Sequence, residues 1–167
     1  MSYRVTVGVM VAAALAAAGA AGPAQAQGVR MDRNVSMKLA SAIMTAAMEQ
    51  CIADGYSVSV AVVDRAGQMV AFLRGDNTGP HTADLARRKA YTARTFRRSS
   101  LEWAQRTEGT ALAGQRSLAD VIPLGGGLPI KVGDDTIGAV GVSGAPGQEK
   151  DEACARAALA KVADQLK

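Results

Sequence analysis

The stretch Pro123–Gly144, P-L-G-G-G-L-P-I-K-V-G-D-D-T-I-G-A-V-G-V-S-G, limits the fold more than any other part of the chain. Its spacing predicts a β-hairpin: Leu128–Val132, a turn at Gly133-Asp134-Asp135, then Thr136–Val142. Seven glycines in so short a span mean close approach to another backbone, or positive φ. Two phosphate-binding readings fail. The glycines do not fit G-x-x-x-x-G-K-[ST], and G-A-V-G-V-S-G lies within a strand rather than turning from strand to helix. A glycine-punctuated strand pair packed tightly on a helix accounts for the pattern.

Residues 1–26 read as a secretory signal peptide. Arg4 gives the positive start, Val5–Ala21 is almost unbroken apolar sequence, and Ala24-Gln25-Ala26 fits the cleavage rule. A retained anchor is the competing reading, disfavoured by the Ala-rich, Gly-Pro-ended segment. Residues 27–34 are expected to form a flexible arm and 35–167 one domain. The mature protein is expected to be periplasmic or secreted, with no membrane span left after cleavage. A formal net charge of +4 is too mild to argue for nucleic acid. A single histidine, His81, excludes His-rich metal constellations.

Along the domain, a helix is expected from Val35 to Ala53, capped by Asn34 or Ser36 and closed at Gly55. Ala40, Ile43, Ala47 and Cys51 form its apolar side. Ser57–Val63 and Gln68–Arg74 read as a hairpin, followed by the turn-rich Gly75–Pro80. The next helix, Thr82–Arg97, carries Arg87, Arg88, Lys89, Arg94 and Arg97. Leu85, Thr92 and Phe96 fall on one side of it, and Ala83, Ala86, Ala90 and Ala93 make a small-residue side suited to the glycine hairpin. Ser99-x-x-Glu102 is a capping box for a short helix containing Trp103. Thr110–Asp120 reads as loop with a turn of helix, Val121–Pro123 as a short strand, and Glu149–Leu166 as the last helix.

The order α-β-β-α-α-β-β-β-α predicts an α+β fold, a five-stranded antiparallel sheet flanked by helices. First and last helices would then lie side by side. Cys51 ends one and Cys154 begins the other, so they read either as a disulfide or as two small buried hydrophobes.

The residues carry little recognisable catalytic chemistry. A Ser-His-Asp hydrolase would need a G-x-S-x-G elbow, which is missing. Glu149 and Glu152 form an E-x-x-E pair that could hold iron, or acids favoured by a helix start. His81 is a standard type of axial ligand for haem iron, and arginines on the following helix could pair with propionates. A surface histidine beside a solvated cationic face is the other reading. The residues alone leave both open.

Three segments together carry a resemblance. They are V-S-V-A-V-V-D-R-A-G-Q-M-V-A-F-L-R-G-D (58–76), G-P-H-T-A-D-L-A-R-R-K-A-Y-T-A (79–93), and G-G-G-L-P-I with I-G-A-V-G-V-S-G (125–144). In this order they resemble the GlcG/HbpS family of haem-binding domains, which is also similar to the C-terminal part of PduO-type corrinoid adenosyltransferases. The resemblance implies a profilin-like, five-stranded sheet, a homo-oligomer, and haem or a related tetrapyrrole as ligand. It also implies slow haem degradation or an accessory role to a sensor protein. In the family's K-A-[FY]-T segment the threonine is tied to haem binding, which points to Thr92 after Lys89-Ala90-Tyr91. The candidate cofactor-binding set is His81, Arg88, Lys89, Tyr91, Thr92 and Phe96, with the macrocycle expected between their helix and the glycine hairpin. His81 and Thr92 stand roughly 16 Å apart along a helix, so one haem cannot take both as axial ligands within one chain. An interaction module without ligand chemistry, or an accessory to small hydroxy-acid metabolism, are the alternatives.

Overall fold

The computed structural model describes residues 28–167, and the expected signal peptide lies outside them. The chain divides at Asp32 into two units. Of the first, only 28–32 is described, an exposed stretch in which Arg30 pairs with Asp32. Among the described residues no helix is long and apolar enough to cross a membrane.

In the second unit, helix α1 (Met37–Ala53) starts where Ser36 Oγ accepts the Leu39 amide. Asn34 serves elsewhere, its side-chain oxygen accepting the amides of Val35 and Arg65. Strands β1 (Ser59–Asp64) and β2 (Met69–Arg74) form the first hairpin. Asp64 Oδ1 holds its turn by accepting the amides of Ala66 and Gln68. Then come α2 (Thr82–Phe96), α3 (Ser100–Thr107), a 3₁₀ turn (Ala113–Ser117), β3 (Gly127–Val132), β4 (Asp135–Ser143) and α4 (Gln148–Lys161). Ser99 caps α3 as expected, but Glu102 does not close a capping box; it turns back to Arg98 at 2.7 Å.

The sheet has four strands, in the order β2-β1-β4-β3, all antiparallel. The fifth expected strand, Val121–Pro123, does not form, because side chains of α2 take its backbone groups. Arg88 donates to the Val121 carbonyl at 2.8 Å, and the Ile122 amide donates to Thr92 Oγ1 at 2.9 Å. Both residues are buried without joining the ladder. The last helix is also shorter than expected: it ends at Lys161, and a 3₁₀ turn (Ala163–Gln165) follows.

Strand alternation sorts the core into two layers. On one face Val58, Val60, Val62, Leu128, Ile130, Val140 and Val142 pack under α1 and α4. On the other, Val63 and Ala139 meet Ala90 and Ala93 of α2. Cys51 and Cys154, both fully buried, are joined in a disulfide that ties the end of α1 to α4 across 103 residues.

Candidate functional site

The α2 helix runs alongside β1. Ser59 Oγ and Thr82 Oγ1 are 2.8 Å apart at its start, and Val63 touches Ala90 and Ala93 near its end. It sits so low on the sheet because glycines make up the floor. A Cβ built at Gly141 would stand 2.1 Å from the Ala86 carbonyl oxygen, and one at Gly127 would stand 2.1 Å from that of Lys89. The small-residue side of the helix therefore rests on the hairpin as its composition suggests. The contact is tighter than expected, however: within one chain there is no room between α2 and residues 125–144 for a macrocycle.

Lys89 and Thr92 lie inside this packing. The Lys89 ammonium, with its side chain 4 % exposed, donates to Asp151 Oδ2 at 2.7 Å and to the Val142 carbonyl at 3.1 Å. Asp151 accepts the Ala145 amide through its other oxygen. Burial holds the Asp151 carboxyl above the usual carboxylate range, despite the opposing pull of Lys89. The Thr92 hydroxyl donates to the Arg88 carbonyl and accepts from Ile122. Both groups are thus committed within the chain.

The remaining candidates point in different directions. His81 precedes α2 with its ring against Gly79, exposed and without a side-chain capping bond. Thr82 anchors the helix start instead, donating to the Gly79 carbonyl at 2.8 Å. Arg88 is half-buried on Val121. Tyr91 lies on the opposite flank, its ring covering Gly67 in the β1–β2 turn, where a Cβ would come within 2.8 Å of it. Phe96 stacks on Trp103 with centroids 4.6 Å apart. Glu149 is exposed, and Glu152 is buried against Ser99 and Arg156. The two glutamates line an open groove with Leu101 and Ala153, and no group of three metal-ligating side chains occurs among the described residues.

Two features are not legible in the sequence. One is the Lys89–Asp151 pair, made by residues 62 positions apart. The other is Arg94, which has its Nε buried and unpartnered. Burial lowers its affinity for its proton, and the positive charges of Arg65 and Arg97 lower it further. The arginine run hinted at a cationic surface, but only the fold shows that Arg94 is the one whose Nε is buried without a hydrogen-bond partner among the helix's arginines.

A four-stranded antiparallel sheet between a helix pair and a cationic, glycine-seated helix defines a class of small α+β domains. Residues 35–160 match the family model described as haem degrading protein HbpS-like, and the chain belongs to this family. It is 37 % identical to the GlcG protein of Escherichia coli over 111 residues, 65 % of this chain and 81 % of that one. Among solved structures it is similar to a double mutant of Streptomyces reticuli HbpS, with a TM-score of 0.77 and 36 % identity over 86 % of this chain and 98 % of that one. It is also similar to a PduOC structure solved in complex with haem, with a TM-score of 0.71 and 28 % identity over 76 % of this chain and 94 % of that one.

Proposed function

We propose that this protein binds haem or a closely related tetrapyrrole. The observation that carries the reading is membership of the HbpS-like family, joined to the likeness to a domain solved with haem. The chain's own residues fit such a ligand. His81 offers an exposed imidazole, a donor suited to iron. Arg94 offers a guanidinium that makes no hydrogen bond to a described carboxylate, though Asp64 and Asp135 act on it at longer range, and such a group is suited to a porphyrin carboxylate. Bound haem would supply an iron centre open to redox and ligand chemistry; the protein's part is to seat the ring and hold its charged edge. Export through the 1–26 leader, assembly into a homo-oligomer, slow haem degradation and a role beside a sensor protein are the finer parts of this proposal.

Adding hemin to the full-length protein should shift and sharpen the Soret band, with saturation at micromolar hemin. A spectrum equal to hemin in buffer would overturn the reading. Replacing His81 by Ala should change the band if the imidazole reaches iron. Thr92→Ser should leave it unchanged, because that hydroxyl is spent on backbone. Export is checked by the mass of the protein recovered outside the cytoplasm, expected to begin at Gln27, and assembly by light scattering.

A further inference from the structure

Two helices divide one face of the sheet between them. Helix α1 packs mainly on β1 and β2, and α4 lies beside it on β3 and β4. Their inner surfaces are unequal. α1 presses Ile43 and Met48 into the core. The buried residues of α4 are Asp151, Glu152, Cys154, Ala155 and Ala158, so no fully buried apolar side chain larger than cysteine anchors the helix itself. Leu159 is only partly buried, and Val162 lies past the helix end. Burying alanine removes little area from water compared with isoleucine or methionine, and apolar attraction scales with that area.

Polar contacts and one covalent bond stand in for apolar bulk. Gln148 accepts the Gly125 amide at 2.8 Å, Asp151 takes the Lys89 ammonium, and Glu152 accepts from the Ser99 hydroxyl. Water replaces each of these partners when the helix lifts, so their net attraction is small. The buried ion pair also regains the hydration it lost on burial. At the far end Lys161 meets Glu49 on the surface, where screening leaves little. The Cys51–Cys154 bond is the exception, since nothing in water replaces it. It fixes the middle of α4 to the last turn of α1 at a point fully closed to solvent.

We propose that this disulfide is a redox latch on α4. Oxidised, it keeps the helix seated; reduced, it releases α4 from the sheet while the rest of the domain stays folded. A dithiol reductant brings the two electrons and two protons: the Cys51–Cys154 bond breaks, two thiols form, and the reductant closes to its own disulfide. Because both cysteines are buried, the attacking thiolate reaches them only while α4 is momentarily lifted. Release uncovers Leu128, Ile130 and Val142 on the β3–β4 part of the face and parts Asp151 from Lys89. Such a chain completes its cover only where thiols are oxidised, and shows apolar sheet where they are kept reduced. The latch goes beyond the haem-binding reading and does not depend on it.

Hydrogen exchange read amide by amide on the full-length protein tests the latch. Three samples are compared: the oxidised protein, the same protein reduced in urea and refolded under dithiothreitol, and the Cys51→Ala, Cys154→Ala variant. In the oxidised protein, the α4 amides should be protected to within about tenfold of those in β1 and β4. In the other two, α4 should lose about a hundredfold more protection than β1 and β4 lose. A dye that brightens on apolar surface should gain fluorescence in the same two samples. An equal loss across α4, β1 and β4 would mean that the bond acts on the unfolded chain alone, and would overturn the latch. Unchanged α4 protection, or a reduced protein with no protected β1 and β4 amides, would overturn it as well.

Discussion

Lys89 of α2 and Asp151 of α4 meet at 2.7 Å on opposite sides of the glycine stretch that opens β3, each side chain about 5 % exposed or less. A Cβ at Gly126 would lie 2.8 Å from Asp151 Cβ and 3.2 Å from Lys89 Cδ, so the absent side chain at Gly126 leaves the space in which the pair closes. The contact fastens a helix on one face of the sheet to a helix on the other.

Removing one partner should therefore be severe. Lys89→Met alone leaves a buried carboxylate without its cation, and a loss of about 3–5 kcal/mol is expected in urea unfolding. The double variant Lys89→Met, Asp151→Leu should recover a large part of that loss. A single variant with wild-type stability would show that the pair is not structural.

The same pair sets a pH dependence. The folded state holds Asp151 above its ordinary value of 3.8, so the folded protein binds the proton more tightly than the unfolded chain does. The contribution of this group is fully present below that ordinary value and is lost as pH rises through the raised one. Comparing wild type with Asp151→Asn in urea from pH 3 to 8 isolates it: the stability difference, wild type minus variant, should fall as pH rises. A difference that grows with pH would reverse the sign assigned here.

Thr92→Val keeps the shape of the side chain and removes the acceptor for the Ile122 amide. A buried donor without a partner costs about 1–3 kcal/mol. Exchange of the Ile122 amide should quicken well beyond that of the β1 and β4 amides, whereas Thr92→Ser should restore both stability and protection.

At Gly141 the obstruction is backbone, which cannot rotate aside. Gly141→Ala sets a methyl 2.1 Å from the Ala86 carbonyl oxygen and 2.6 Å from the Ala90 amide nitrogen, so α2 must lift. A cost at or above the upper end of the usual overpacking range, about 3 kcal/mol, is expected in thermal or urea unfolding. Gly133→Ala is a useful contrast: it meets nothing within 4 Å and is strained only by its φ of +59°.

Cutting the Cys51–Cys154 bond frees a loop that spans almost the whole domain. In the chain-entropy model, a loop of this length is worth roughly 4–5 kcal/mol. Unfolding midpoints measured with and without reductant, and for the Cys51→Ala, Cys154→Ala double variant, should drop together; a drop in neither would mean the bond constrains the unfolded chain little.

Local pattern carried much of the fold. Ser36 as a cap, the alternation of Val58, Val60 and Val62, and the Asp64–Gly67 turn are short-range effects, written into neighbouring residues. The fifth strand was misread because Val121–Pro123 is apolar and β-branched like a strand, while its hydrogen-bond partners, Arg88 and Thr92, lie about thirty residues away. The α4 boundary was misread because Val162 and Leu166 continue the helical spacing past the point where the chain turns. For the site, the resemblance marked α2, but not that its Lys89 and Thr92 are committed within the chain.

By itself the sequence determined that a small-residue helix must lie flush on a glycine-rich hairpin, since side-chain size at Ala86, Ala90, Gly127 and Gly141 is a local property and sets how closely two backbones approach. It also determined the hairpins and the family. Only the tertiary structure decided that this closeness leaves no gap and that Lys89 and Thr92 are consumed in holding the layers together. Those outcomes depend on strand order and on where α2 lies. Both are set by the packing of the whole domain, so no short stretch of residues could announce them.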